Sequence, residues 1–441
     1  MSDRRNKISD GRRAGPEMFR LRQNISRPGR HTRDAGIRGG KPGPESGKMN
    51  IGAGLEKTDS FAEKTSFILS VIFLFSINFS IALCYIIFTL LLISSAVIFY
   101  REGRKPALPP YFKYLIFFAL LTLVSTVFSV DPAASIEDNK ELFVYLLIPV
   151  FILVLKRTEM YCTAIYTVLY SAVISSIIGI IISAMHGISL EHRLKGFSSH
   201  WMTYSGLLMI VFVFFFVFNM YEKRKKVKTL NFILLIPVLT AILLSMTRSV
   251  WIGIFVSIGT FILFHLRKKP GVLIGSGIVF LIALLLLPGS IKSRMFSIFD
   301  VNNVTNRDRL HMAYTAFEIV KANPLTGVGS DNVKKVYADF RHRNAIKDNP
   351  HLHNNFFQIA AERGIPSLIL FIAFFTAIIT GLAGKIRNGT ERERRVSTAV
   401  LFLVTAFLTA GMFEYNFGDT EIRFLLLFFI SLPYLNIFNT R

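Results

Sequence analysis

The chain of 441 residues is 52% hydrophobic and only 18% charged, and its apolar residues stand in long blocks instead of recurring at helical or strand periods, which excludes a soluble globular protein. Uncharged stretches such as 204–219 and 365–384 approach the roughly 20 residues a helix needs to cross a bilayer, and runs this continuous do not fit the alternating strands of a barrel. The formal charge of +23 is no nucleic-acid footprint, because much of the excess lies in the first 50 residues and in short turns between apolar blocks, where Lys and Arg hold loops in the cytoplasm.

Residues 1–60 are rich in Arg, Gly, Pro and Ser with almost no apolar periodicity, and they read as a disordered basic segment. The basic stretch is too long for a cleavable signal peptide, and Met49 is a second candidate start. Hydropathy then predicts about twelve transmembrane helices, near 65–79, 81–100, 111–129, 142–155, 161–185, 204–220, 229–246, 250–266, 271–288, 365–384, 396–413 and 423–438. Helices 1–9 occupy 61–288, and helices 10–12 with the carboxy terminus occupy 365–441. Cys84 and Cys162 fall inside apolar segments and give no metal-site spacing.

With the amino terminus in the cytoplasm, the turns on that side carry Arg101, Arg104 and Lys105; Lys156 and Arg157; Lys223, Arg224, Lys225, Lys226 and Lys228; Arg267, Lys268 and Lys269; and Lys385, Arg387, Arg392, Arg394 and Arg395. The short outer loops carry only Lys140, Arg193, Lys195 and Arg248. This asymmetry predicts both termini inside and makes 289–364 one large outer loop, the only soluble part big enough for a small domain. Arg193, Lys195 and Arg248 then stand on the disfavoured side, which asks for a reason.

In that loop Leu310, Ala313, Phe317 and Val320 recur at three- and four-residue spacing and predict an amphipathic helix of about four turns, stopped by Pro324, Gly327 and Gly329. Alone, it reads as a surface helix on the membrane with Arg309 snorkelling. From Asn355 the pattern is again helical and ends at Gly364, with Asn354 or Asn355 as its cap. His353 then sits beside the positive helix end, which predicts a neutral imidazole able to accept a proton; the plainer reading is an interfacial residue that only hydrogen-bonds. His351 and His353 are spaced as two metal ligands, but no clear third lies near, so no metal is expected. Arg341, His342 and Arg343 read as a solvated loop face, and Asp419-Thr420-Glu421 as a solvated turn between the last two spans.

Four elements together resemble the O-antigen ligase and polymerase superfamily, with O-antigen ligase the nearest member. Arg309 through Pro324-Leu325-Thr326-Gly327-Val328-Gly329 resembles the segment in which an arginine opens a periplasmic helix ending in Pro-Leu-x-Gly-Val-Gly. His353-Asn354, followed by nine residues and Gly364, is similar to the family's His-(Asn/Ser/Gln) and Gly-x-x-Gly signature, with Ser367 in place of the second glycine. Thr247-Arg248-Ser249, with Trp251 following, resembles its arginine at the outer end of a membrane helix, and Arg193-Leu194-Lys195-Gly196 is similar to an Arg-x-x-Gly element in an earlier periplasmic loop. Ala313 stands where a tryptophan is common.

The resemblance implies an all-α polytopic membrane protein of the bacterial inner membrane whose large periplasmic loop, containing short helices, carries the active site. It implies a glycan donor on undecaprenyl diphosphate and an acceptor hydroxyl, commonly on lipid A core. Arg248 and Arg309, with Arg193 as a weaker third, would bind the diphosphate, since a guanidinium holds phosphate bidentately and stays charged. His353 would be the general base, and Pro324, Gly327, Gly329, Asn354 and Gly364 the structural motif. No cofactor or metal is implied, and the first outer loop, 76–80, has no carboxylate of the kind that metal-dependent oligosaccharyltransferases carry there. A polysaccharide polymerase or protein O-oligosaccharyltransferase shares the signature. A lipid-linked-oligosaccharide flippase or transporter fits the span number, but its ionisable groups would stand near the bilayer midplane. A scaffold without catalysis would leave Arg248 unexplained.

Overall fold

The computed structural model describes residues 59–267 and 288–438, except 188, 190, 346 and 347, together with Gly271 and Gly275. Among these, every regular element is helical: α1 (Phe61–Ser76), α2 (Ile81–Arg101), α3 (Phe112–Val127), α4 (Pro132–Asp138), a 3-10 stretch (Asn139–Leu146), α5 (Leu147–Val154), α6 (Thr158–His186), α7 (Trp201–Met220), α8 (Lys225–Leu244), α9 (Arg248–Leu266), α10 (Gly289–Phe296), α11 (Val304–Ala322), α12 (Val333–Phe340), α13 (Asn355–Asn388), α14 (Glu391–Gly411) and α15 (Thr420–Ser431). The protein is an all-α polytopic membrane protein. Among the described residues eight stretches are long and apolar enough to cross a bilayer, namely α2, α6, α7, α8, α9, α13, α14 and 420–438. Three further expected spans correspond to shorter helices, α1, α3 and the 3-10 stretch running into α5. The span expected near 271–288 and the basic segment before Asp59 lie outside the described residues.

Lipid tails are as apolar as leucine, so helices in a bilayer associate through ring packing and small polar groups. Phe214 of α7 meets Phe429 of α15 at a tilt, 4.3 Å between centroids, and Phe73 of α1 meets Phe424 edge-on at 5.0 Å. Between the rings run buried hydrogen bonds, Asn78 Nδ2 to Ser171 Oγ at 2.9 Å and Asn231 Nδ2 to Asn219 Oδ1 at 3.1 Å. At one end of the bundle the basic turns are tied by ion pairs, Lys156 with Asp59 at 2.9 Å and Arg395 with Glu222 at 3.1 Å.

The segment before α13 lies at the opposite end and has a core of its own. Met312, Ala316 and Ile319 of α11 pack with Val328, Val333, Tyr337, Leu352 and Ala361. Of the expected apolar stripe, Leu310 and Phe317 lie outside this core and are 70% and 65% exposed. The helix is apolar on two faces, and the small core takes the one that carries Met312, Ala316 and Ile319. Its start also differs: Asn303 caps it, accepting from Thr305 N at 3.1 Å, so Arg309 stands in the second turn.

Candidate active site

The segments carrying the glycine motifs dock on each other by backbone hydrogen bonds. Val328 N donates to Ala361 O at 2.9 Å, Gly329 N to Glu362 O at 2.8 Å and Ile365 N to Pro324 O at 2.8 Å. Gly327 has φ +66° and a Cβ there would lie on the Glu362 carbonyl; Gly364 has φ +78° and a Cβ there would lie on the Leu325 carbonyl. Only glycine satisfies both the left-handed backbone and the close approach. Gly364 also kinks α13, separating the short helix after His353 from the membrane span.

Asn354 is the cap of α13, its Oδ1 accepting from Phe356 N at 2.8 Å and Phe357 N at 3.0 Å, while its Nδ2 donates to Met412 O at 2.8 Å. Asn355, fully buried, donates to Asn416 Oδ1 at 2.7 Å and accepts from Phe417 N at 3.0 Å. The two asparagines fasten the turn after α14 to the start of α13. That brings Glu414 Oε1 to 2.8 Å from His353 Nδ1.

This contact reverses the expected charge preference of His353. Burial alone would lower its pKa, but the hydrogen bond and the charge of Glu414 outweigh burial and hold it above the ordinary imidazole value. Burial likewise works to raise Glu414, yet His353 and Arg309 keep its carboxyl below the usual range. With the carboxylate accepting from Nδ1–H, the neutral ring presents its lone pair on Nε2. His353 has φ +46°, and the other non-glycine residues with positive φ among those described, Met246 and Asp331, stand at the same end of the bundle. Such backbone strain gathers where function over-determines geometry.

Two cavities flank this histidine. The first, of about 350 Å³, is mainly apolar, with Ile298, Val301, Leu310 and Phe357 in its wall beside Arg248 and Arg309. Arg248 Nη1 donates to Ser297 O at 2.8 Å, but its Nη2 and the Nε of Arg309 are buried without a hydrogen-bond partner. Buried guanidinium donors without a partner cost the full desolvation of a charged group unless an anion is brought to them. Arg294, which the sequence reading passed over, adds to this field: its pKa falls to about 10 through burial and then through the charges of Arg248, Arg193 and Arg309. Arg193 lies over the Trp201 ring at 4.8 Å and lines neither cavity.

The second cavity, of about 520 Å³ and polar through its ionisable side chains, has Asp138, Glu141, Asp331, Glu362, Glu414 and Asp419 in its wall together with His200, His351 and Thr203, beside apolar surface of similar extent. His353 is the one residue common to the two linings. The expected solvated turn is corrected here. Thr420 is buried, Asp419 Oδ2 accepts from Thr203 Oγ1 at 3.1 Å, and burial, then the nearby Glu414 and Glu421, push the Asp419 carboxyl up to about 8. Of the loop residues read as solvated, Arg341 and Arg343 are exposed, whereas His342 is half-buried and stacks on His311 at 4.8 Å. Among the described residues no three His, Cys, Asp or Glu side chains come together as a metal site.

Residues 230–372 match the family model described as O-Antigen ligase. That match supports the O-antigen ligase superfamily for this region. No curated protein matches the chain. The O-antigen ligase region runs from α8 into α13 and includes Arg248, Arg294, Arg309 and His353 with the docked glycine segments. Arg193, Glu414 and Asp419 lie outside it. Glu414, 61 residues from its histidine, had no local signal beyond being a carboxylate in an outer turn.

Proposed function

We propose that this protein is an O-antigen-ligase-type glycosyltransferase of the bacterial inner membrane, moving a glycan from undecaprenyl diphosphate to an acceptor hydroxyl at the periplasmic face. The observation that carries the reading is His353 standing as the shared wall of a basic, apolar cavity and a polar one. The lipid diphosphate enters the first, its phosphate oxygens bound by Arg248 and Arg309, with Arg294 adding charge and Arg193 more distant. The acceptor enters the second. Its hydroxyl gives a proton to His353 Nε2 as the oxygen attacks the anomeric carbon, and the sugar–phosphate bond breaks with its electron pair going to the lipid diphosphate. Glu414 keeps the imidazole in the required tautomer and stabilises the imidazolium as it forms. Arginines that stay charged and bind bidentately supply the stabilisation that a metal gives elsewhere.

Lipid A core is the acceptor of the ligase reading; a polymerase or a protein O-oligosaccharyltransferase would use the same two cavities with a different acceptor. Purified protein given undecaprenyl-diphosphate-linked glycan and lipid A core, without ATP, should form the joined product. If lipid A core, a lipid-linked repeat unit and an acceptor peptide all fail while the donor binds, the glycosyltransferase reading is wrong. The facing of the site is tested by cysteines placed at Asp331 and Lys226 and a membrane-impermeant thiol reagent on spheroplasts, with labelling expected only at the first.

A further inference from the structure

We infer that the outward face of α11 lies in the plane of the membrane surface, seated in the leaflet adjoining the site, and that lipid closes the apolar side of the basic cavity. Neither statement depends on glycosyl transfer, and the test needs no substrate.

The helix carries two opposed faces. Met312, Ala316 and Ile319 point into the small core outside the bundle. At about 3.6 residues per turn, Arg307, Leu310, Tyr314, Phe317 and Lys321 fall on the opposite side, and all of them are exposed. In a domain bathed by water the face away from the core is polar, whereas a helix apolar on both sides is covered on both. Here the middle of the outward face is Leu, Tyr and Phe, and the charges stand at its two ends. That is the layout of an in-plane helix, its apolar middle immersed and its long basic side chains reaching back to the headgroups. Phe299 and Val301, in the chain that leads into α11, are exposed as well.

The occupant is lipid because this face runs into one that already meets lipid. Ile365 N donates to Pro324 O at 2.8 Å, so Leu325, 72% exposed, stands at the start of the membrane span of α13. From there Ile365, Ile369 and Ile372, all exposed, continue along the span at i, i+4 and i+7. A leaflet that bathes this stripe reaches Leu325 and the end of α11 without a break, and anionic headgroups complement Arg307 and Lys321.

The same surface borders the basic cavity. Val301, Leu310 and Phe357 line that cavity and are also exposed, which places them at its mouth. Lipid tails over that mouth keep water from Arg248 and Arg309, and the attraction of the two arginines for an anion is stronger there than in an open groove.

The test uses the full-length protein in nanodiscs of phosphatidylethanolamine and phosphatidylglycerol, with Cys84 and Cys162 replaced by alanine. Leu310→Cys, Phe317→Cys and Val301→Cys each carry a bimane fluorophore, with Ile369→Cys of the span as the lipid reference and Ala338→Cys of α12 as the water reference; all five positions are exposed, so no label displaces a core side chain. The labels on the α11 face should be quenched by lipid bearing a nitroxide near its headgroup and should lose the iodide quenching seen at Ala338→Cys, as expected for a face about 5–10 Å into the headgroup boundary. Adding Leu310→Glu and Phe317→Glu to Tyr314→Cys should restore iodide quenching of a label there. Iodide quenching of Leu310→Cys and Phe317→Cys equal to that of Ala338→Cys overturns the inference. Shielding from both quenchers overturns it too, since protein, a second copy or another part of the chain, then covers the face. A Val301→Cys label quenched by iodide alone overturns the closing of the cavity by lipid.

Discussion

The two cavities beside His353 differ in what they lack. In the basic cavity the buried atoms without partners are donors, Nη2 of Arg248 and Nε of Arg309; in the polar cavity the corresponding atom is an acceptor, Oε2 of Glu414. Buried polar groups are almost always paired, so each orphan describes the partner a ligand must bring. The first asks for an anion and the second for a hydroxyl, and the histidine between them is where a hydroxyl proton would be removed as a phosphate ester bond breaks.

The strongest way to break this comparison is to remove the shared wall. His353→Ala should cut single-turnover transfer by roughly 10²–10⁴-fold while leaving donor affinity nearly unchanged, because a general base acts only as the acceptor proton moves. Transfer at close to the normal rate would make the histidine a structural residue of the interface.

Next in size, Arg248→Ala or Arg309→Ala should weaken donor binding by about 1.5–3 kcal/mol, the worth of a charge-assisted hydrogen bond, with lysine a poor substitute for the planar fork. Arg294→Ala should act in the same direction. A donor titration that finds affinity intact in these variants would remove the diphosphate from the basic cavity.

A smaller effect sharpens the role of Glu414. The base must be unprotonated, and the carboxylate holds the His353 pKa above its ordinary value, so the rate should fall as pH drops through a point above the usual imidazole range. Glu414→Gln removes that support, and the acid limb should move to lower pH while the maximal rate declines. A limb that stays where it was would separate Glu414 from the titration. The smallest expected effect is none: transfer in detergent should survive EDTA, and a requirement for added Mg²⁺ or Mn²⁺ would redirect attention to the carboxylates of the polar cavity.

What the sequence determined by itself was the membrane bundle and the motifs that stay local. Bilayer thickness imposes a length on each apolar block, so most spans are legible as runs of hydropathy. Capping and chain reversal act over a few residues, and therefore Asn354 as a cap and Gly364 as a break could be read directly. Arg193, Lys195 and Arg248 stood out as basic residues on the side that the charge asymmetry disfavours, and Arg309 through the resemblance of its helix to the family's. The buried face of α11 was not legible, since Leu310 and Phe317 are as apolar as Met312 and Ile319 and periodicity cannot choose between two apolar faces. Nor was the charge state of His353: the helix end beside it argued for a lowered pKa, and the opposite direction came from Glu414, carried there by Asn354 and Asn355 gripping a turn 61 residues away. Asp419 changed from a solvated turn to a cavity wall for the same reason. Helix caps and hydropathy depend on neighbours along the chain, whereas pKa, burial and cavity charge depend on neighbours in space, and only the packing of α14 and the turn after it against α13 decides which those are.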